Sequence, residues 1–399
     1  MTPPSTDLFY DASSIDYPII DSDAHVNEPP ELWQEGVPSH LRDRAPKVEH
    51  TEAGDLWIFD GGREKWPMGL TATAGQSFFE FSPTGGRYET MRPGSFDTDA
   101  RLKDLDADGI YCQLIYPSVT LKGARIYSDD PELQIACVDA YNRWLLDFCD
   151  GSDGRLLPQA IIPATTIDDS VECLEKAMKD GHRAAVISAF PNGTLDPKDE
   201  DDRFWAVAQE ADFPIAIHIG SFLPARTSAP KRNPGALWTG LRFVGKAAWT
   251  KAGGQTLEVV CDVLFSGIFE RFPKLKIVLV EANIGWIPTL LEQADDMYRR
   301  YRWYTGAHEH MTGMPSDVFQ RNFWATFMND SVGVEQRHRM NVDQIMWSTD
   351  YPHSGCDWPD SRLTLERVFH GVPKTEVRKM LHDNCKRLYG LDHVPGTIR

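Results

Sequence analysis

The sequence predicts an α/β protein built as a (β/α)8 TIM barrel, with long insertions after its first and fifth strands. Three observations carry this. Short apolar runs alternate with amphipathic helical patterns along the chain, the order that builds a parallel sheet. Several runs are continuously apolar rather than alternating, as in strands covered on both faces. The runs number eight, the count that closes such a barrel, with a doubly wound sheet as the other solution.

The predicted strands are residues 17–23 (YPIIDSD), 110–117 (IYCQLIYP), 156–163 (LLPQAIIP), 184–190 (AAVISAF), 213–220 (FPIAIHIG), 276–283 (KIVLVEAN), 322–327 (NFWATF) and 345–350 (IMWSTD). Helical patterns fill the gaps. Residues 98–108 carry charged and apolar residues at helical spacing, with Thr98 as the cap. Residues 131–150 open on Pro131, suited to a first turn, and 166–181 close on Gly181, which stops a helix. Residues 201–212, 257–272, 286–304, 331–341 and 375–389 complete the set. Residues 1–16 read as an N-terminal arm and 17–399 as one barrel domain. Two connections, 28–96 and 221–255, are too long for simple loops and leave the face where barrel chemistry sits. Both are expected to act as a cap or lid.

Composition bounds the function. The chain has 399 residues, 59 acidic against 41 basic, for a net charge of −18. So acidic a chain is a poor binder of phosphate backbones, and no nucleic-acid partner is expected. No apolar run approaches the length of a membrane span. The N-terminus, MTPPSTDLFYDASS, lacks a basic segment followed by an apolar one, so no signal peptide is expected. The seven cysteines are scattered and never form a CxxC pair. That suits a reducing cytoplasm better than a disulfide or zinc framework.

Polar residues crowd the strand ends. The first strand runs into Asp23-Ala24-His25, whose two-residue spacing puts both side chains on one side of an extended chain. The fifth strand presents His218, the sixth Glu281, and the eighth ends in Asp350 with His353 just beyond. Any one of these alone reads as a turn, cap or core residue. Together at equivalent strand ends they need a counter-charge, because burying them bare is costly. A divalent cation supplies it and accepts a mixed imidazole and carboxylate set.

These residues also carry a resemblance. The segments IIDSDAHVNEP (19–29), RLKDLDADGIYCQLIYPS (101–118), AYNRWLLDFC (140–149), IHIG (217–220), FSGIFERFPKLKIVLVEANIGWIP (265–288) and MWSTDYPHSGCDWPD (346–360) are similar to the amidohydrolase superfamily. The branch is the amidohydrolase-related one that includes aminocarboxymuconate semialdehyde decarboxylase and the resorcylate decarboxylases. The resemblance spans Ile19 to about Gly390 and implies a metal at the barrel's C-terminal mouth. Its ligands fall on Asp23 and His25 of the first strand, His218 of the fifth and Asp350 of the eighth. Many relatives have HxH where this chain has Asp23-Ala24-His25, and a carboxylate takes the first place in part of the branch. Decarboxylating relatives place a His near the sixth-strand position, where this chain has Glu281 followed by Asn283. Glu281 then becomes a candidate ligand itself, to a second ion shared with His353.

The expected activity is that of a metal-dependent hydrolase or decarboxylase acting on a small carboxylated or cyclic substrate through a metal-bound water or oxygen. One or two zinc, manganese or iron ions per chain would serve. Asp350, Glu281 and His353 are the candidate acid–base groups, and Arg226, Trp286 and Trp358 the candidate substrate contacts. The alternatives are a non-haem iron oxygenase, mononuclear or dinuclear, on the same barrel, since two imidazoles and a carboxylate suit iron, and a metal-poor structural subunit of a complex. The resemblance implies a homo- or hetero-oligomer.

Overall fold

The computed structural model describes residues 9–11, 15–119, 123–222 and 254–398. Eight strands form one parallel sheet in the order β1 (Ile20–Val26), β5 (Cys112–Pro117), β6 (Leu156–Ile161), β7 (Ala184–Ile187), β8 (Ile215–His218), β9 (Ile277–Val280), β10 (Phe323–Phe327) and β11 (Ile345–Trp347). The ends meet where Asp350 N donates to the Asp23 carbonyl (2.9 Å) and His25 N to the Tyr351 carbonyl (2.5 Å). A bridge pairs Ala24 with Tyr351 there, so the sheet curls into the predicted barrel.

Alternate residues along each strand face inward. Ile20, Leu114, Leu157, Val186, Ala216, Val278, Trp324 and Met346, drawn from all eight strands, share one buried cluster with Cys385, Leu388 and Leu391 of the C-terminal segment. Their neighbours Ile115, Ile161, Ile187, Ile217, Leu279, Ala325 and Trp347 belong to a second cluster under the helices. The seven strands after the first therefore carry apolar residues on both faces, which explains the continuous runs in the sequence.

Four local readings change. The first strand is β1, three residues later than the expected 17–23, so Asp23 lies at its middle and His25 inside it rather than beyond it. Apolar periodicity under-reads a strand whose last residues are polar but buried. The cap of Thr98–Asp108 is Asp97, whose carboxylate accepts from Ala100 N, not Thr98. The expected helix 257–272 is Gly254–Phe265 followed by Ile268–Arg271, interrupted at Gly267, which sits at φ 76°. The expected 331–341 and 375–389 helices are broken into short pieces, with a π-turn at Lys379–Asp383 in the second.

The insertion at 28–96 has its own structure. It folds β2 (Lys47–Thr51), β3 (Gly54–Phe59) and β4 (Glu64–Pro67) into an antiparallel sheet. Trp57 of β3 packs edge-on against Trp33, whose indole N–H donates to the Cys137 carbonyl of helix Pro131–Asp150. Its later part reaches the barrel mouth. Thr73 N donates to the Pro352 carbonyl (2.8 Å), and Ser354 N to the Leu70 carbonyl (3.1 Å). Of the other insertion, residues 223–253 lie outside the described residues, and with them Arg226.

Helix Pro131–Asp150 locks onto the barrel through one amide. Asn142 Nδ2 donates to the Ile161 carbonyl (3.0 Å), and its Oδ1 accepts from Ile161 N (2.8 Å). Replacing it by Leu leaves Ile161 N unpaired and the Ile161 carbonyl with only the weak Cys173 thiol as donor (3.5 Å). Asn142→Leu should lower the unfolding free energy by about 2–4 kcal/mol, read from urea denaturation.

Candidate metal centre

The inward-facing positions of the barrel turn polar at its C-terminal mouth. Asp23 and His25 come from β1, His218 ends β8, Glu281 follows β9, and Asp350 and His353 follow β11. Asp23, His25, His218 and Asp350 are each at most 2% exposed, and the Glu281 side chain is 19% exposed.

Their ligand atoms converge. His25 Nε2 lies 3.4 Å from Asp23 Oδ1 and 3.2 Å from Asp350 Oδ1. His218 Nε2 lies 3.4 Å from Asp23 Oδ1, and its Nδ1 3.7 Å from Glu281 Oε2. His353 Nδ1 lies 3.1 Å from Asp350 Oδ1. Asp23, His25, His218 and Glu281 make one group able to share an ion, and His25, Asp350 and His353 a second.

Hydrogen bonds from behind set the imidazole faces. His25 Nδ1 is 2.9 Å from the Pro117 carbonyl, which accepts only from an N–H. Its Nε2 therefore carries the lone pair and points at the carboxylates. His353 Nε2 is 2.8 Å from Ser118 Oγ, and its ring stacks on that of His25 at 3.8 Å. Asp23 Oδ2, His25 Nε2, Glu281 Oε2 and Asp350 Oδ1 are buried and find no hydrogen-bond partner.

The electrostatics fit this picture. Burial holds the His25 imidazole down to about 4 and the His353 imidazole to about 3, so both are neutral near pH 7. Burial, then the charges of Asp350 and Asp23, push the Glu281 carboxyl well above the usual range. Burial also raises Asp350, against the pull of its His25 contact. A cluster rich in acceptors and without a cation resists ionisation, and a divalent ion removes that resistance.

The backbone is contorted around both outer carboxylates. Glu281, Asn283 and Asp350 adopt left-handed φ values of 56°, 53° and 61°. Such conformations in non-glycine residues concentrate at functional sites. The Glu281 turn is pinned by Thr326 Oγ1 accepting from Glu281 N (2.9 Å), and by Asp330 accepting from Ile284 N and Gly285 N. Gly355 has no side chain for good reason: a Cβ there would stand 2.3 Å from Asp350 Oδ2.

The structure thus brings Asp23, His25, His218, Glu281, Asp350 and His353 to one place. Trp286 sits on the turn after Glu281, its N–H donating to the carbonyls of Ala282 and Asn283. Trp358 has other partners: Arg92 covers its ring at 3.7 Å, and its N–H donates to the Asp104 carbonyl. Ser118 escaped the sequence reading, although it follows β5 at the inward-facing parity shared by Cys112, Leu114 and Tyr116. Asp21, fully buried two residues before Asp23, was missed as well; its place in the DxDxH alternation was the available signal.

Comparison with known proteins agrees with the architecture. A family model described as amidohydrolase matches residues 20–391. The decarboxylase orsB of Emericella nidulans is 25% identical over 303 residues, covering 72% of this chain and 86% of that protein. Among solved structures, an amidohydrolase from Mycobacterium avium subsp. paratuberculosis K-10 shares the fold with a TM-score of 0.74 at 18% identity, covering 94% of this chain and 99% of that one. A dihydroxybenzoic acid decarboxylase from Polaromonas sp. JS666, solved with manganese and the inhibitor 2-nitroresorcinol, gives 0.63 at 18% identity, covering 94% and 98%. With its barrel, its strand-end cluster and a family match over nearly its whole length, the chain belongs to the amidohydrolase family.

Proposed function

We propose that the protein is a metal-dependent decarboxylase of a small carboxylated aromatic or cyclic acid, with hydrolysis of such a compound as the neighbouring chemistry. The observation that carries this is the set of buried acceptor atoms, on Asp23, His25, Glu281 and Asp350, that converge without a donor. Asp23, His25, His218 and Asp350 are the proposed ligands of one divalent ion. Their mixed imidazole and carboxylate set suits manganese, zinc or iron, and manganese has support from the bound ion of the Polaromonas decarboxylase. When bound, the ion supplies a Lewis acid that orients the oxygens of the substrate.

The chain's own groups do the rest. Decarboxylation replaces a carboxylate on carbon by a proton, so an acid must stand near the mouth. Glu281 is the proposed donor: it lies near the sixth-strand place at which the resemblance puts a His in decarboxylating relatives, and its surroundings favour the protonated form. His353, braced by Ser118, is the second candidate for proton transfer. Trp286 is proposed to wall the mouth beside Glu281. The insertion at 28–96 is proposed as a cap, supported by its bonds from Thr73, Ala74 and Leu70 to the loop carrying His353. Arg226, in the insertion at 221–255, stays the proposed carboxylate contact on the sequence argument alone.

A second reading, a dinuclear iron oxygenase, is favoured by one feature. The cluster divides into two ligand groups overlapping at His25, and Glu281 belongs to one of them. The two readings part at this residue. Under the decarboxylase reading Glu281→Gln keeps one ion per chain and lowers kcat by about 10²–10⁴-fold. Under the oxygenase reading it lowers the iron content and abolishes oxygen uptake. Metal analysis beside carbon dioxide release and oxygen consumption separates them.

The cytoplasm is the proposed location, supported by seven free cysteines, most of them buried. No helix among the described residues is long and apolar enough to cross a membrane. An oligomer is proposed on the exposed aromatics Trp303 and Tyr304.

Two outcomes follow from the ligand assignment. Asp350→Ala and His218→Ala should each lose metal retention and activity while leaving the far-ultraviolet helical signal intact. Full metal occupancy in either variant would remove that residue from the ligand set. Stripping the ion with a chelator should lower Tm, and restoring free manganese at about a thousand times its Kd should return about 4 kcal/mol of stability.

A further inference from the structure

Beneath the candidate ligands lies a second buried polar system that touches none of their free atoms. Arg101, on helix Thr98–Asp108, is 0% exposed, as is Asp21 of β1. Its three donor nitrogens each have a partner. Nε donates to the Gly94 carbonyl (2.5 Å), Nη1 to Gln113 Oε1 (3.0 Å) and Nη2 to the His25 carbonyl (2.5 Å). Its guanidinium also lies 4.4 Å from the centroid of the Tyr351 ring. Gln113 of β5 passes the link on, its Nε2 donating to Asp21 Oδ2 (2.9 Å). Asp21 then accepts from Thr349 N (2.9 Å), from Thr349 Oγ1 and from Asp23 N (3.2 Å).

The ends of this chain of bonds are what distinguish it from an ordinary buried ion pair. They fall on the Asp23 amide, the His25 carbonyl, and Thr349 and Tyr351, the two neighbours of Asp350. The network also sits at the β-bulge of β1, where the register with β5 shifts between Asp21 and Ala24. Bulges next to active sites re-aim side chains, and this one takes in Asp23 itself.

We propose that Arg101, Gln113, Asp21 and Thr349 are a positioning network that sets the mutual spacing of Asp23, His25 and Asp350, and so how tightly and in what geometry the cation is held. The proposal rests on the metal reading given above. Its physical basis is that a metal site tolerates only about 0.5 Å of misplacement in its ligands. Only an arginine supplies donors at once to two carbonyls and an amide oxygen in one planar fork, so lysine is no substitute. Thr349 ties β11 to β1 by a hydroxyl that valine lacks at the same shape. That hydroxyl also accepts from Tyr351 N (3.0 Å).

The test is titration of the metal-free full chain with Co(II) and Mn(II), following Co(II) visible absorption, Mn(II) spin resonance and calorimetric Kd. Arg101→Lys and Thr349→Val should each raise Kd by about 10–100-fold, as loss of outer-shell partners does, and should change the Co(II) spectrum. Thr349→Ser, which keeps the hydroxyl, should bind within about twofold of the wild type with an unchanged spectrum. Should Arg101→Lys fail to fold, the Thr349→Val and Thr349→Ser pair decides. Wild-type affinity and spectrum in Arg101→Lys and Thr349→Val, even at lowered Tm, would overturn the proposal and leave a purely structural role. Failure of the wild type itself to bind either ion would instead overturn the metal reading.

Discussion

Carboxylates gathered where burial shields them from solvent are the constraint on which this protein turns. Asp23, Asp350 and Glu281 approach one another at the mouth of an apolar cylinder, and the His25 imidazole between Asp23 and Asp350 is held neutral by burial. Uncompensated ionised carboxylates cost several kcal/mol each in such surroundings. Arg101, fully buried behind them, turns its guanidinium nitrogens to carbonyl and amide oxygens rather than to these carboxylates. A divalent cation resolves the conflict and gives it a purpose, because the same cluster that is unfavourable when bare is a chelating site when loaded.

Much of the local structure reads as a consequence. The sheet closes where Asp350 N meets the Asp23 carbonyl, so the seam of the barrel and the centre of the cluster coincide. Left-handed backbone at Glu281 and Asp350 turns both carboxylates where a regular strand would not carry them. Ser118 and the Pro117 carbonyl, at the end of one strand, brace His353 and His25 from behind. The folded insertion then rests on the loop after β11 that carries His353.

The barrel was legible because strands buried on both faces must be apolar throughout, and eight such runs leave few other architectures. The cluster was legible for the opposite reason: Asp23, His25, His218 and Asp350 are polar where the pattern demands apolar residues. What sequence could not give was distance. Thr349 and Asp21 are 328 positions apart, and no local pattern announces their bond. Arg101 looked like one more charge on a charged helix, because its burial depends on Gly94 and Tyr351 folding over it. Trp358 reads in the sequence as a candidate substrate contact, yet Arg92 covers its ring. The β-sheet inside residues 28–96 was hidden for a different reason: its strands are short, and two of them, Lys47–Thr51 and Glu64–Pro67, bury no residue and so carry no apolar run.

The most direct test is crystallographic. Crystals grown with manganese should give an anomalous peak bonded to Asp23, His25, His218 and Asp350, at about 2.0–2.2 Å from nitrogen and oxygen. A map in which these side chains hydrogen-bond to other protein groups, with the peak elsewhere or none at all at full manganese load, would contradict the account.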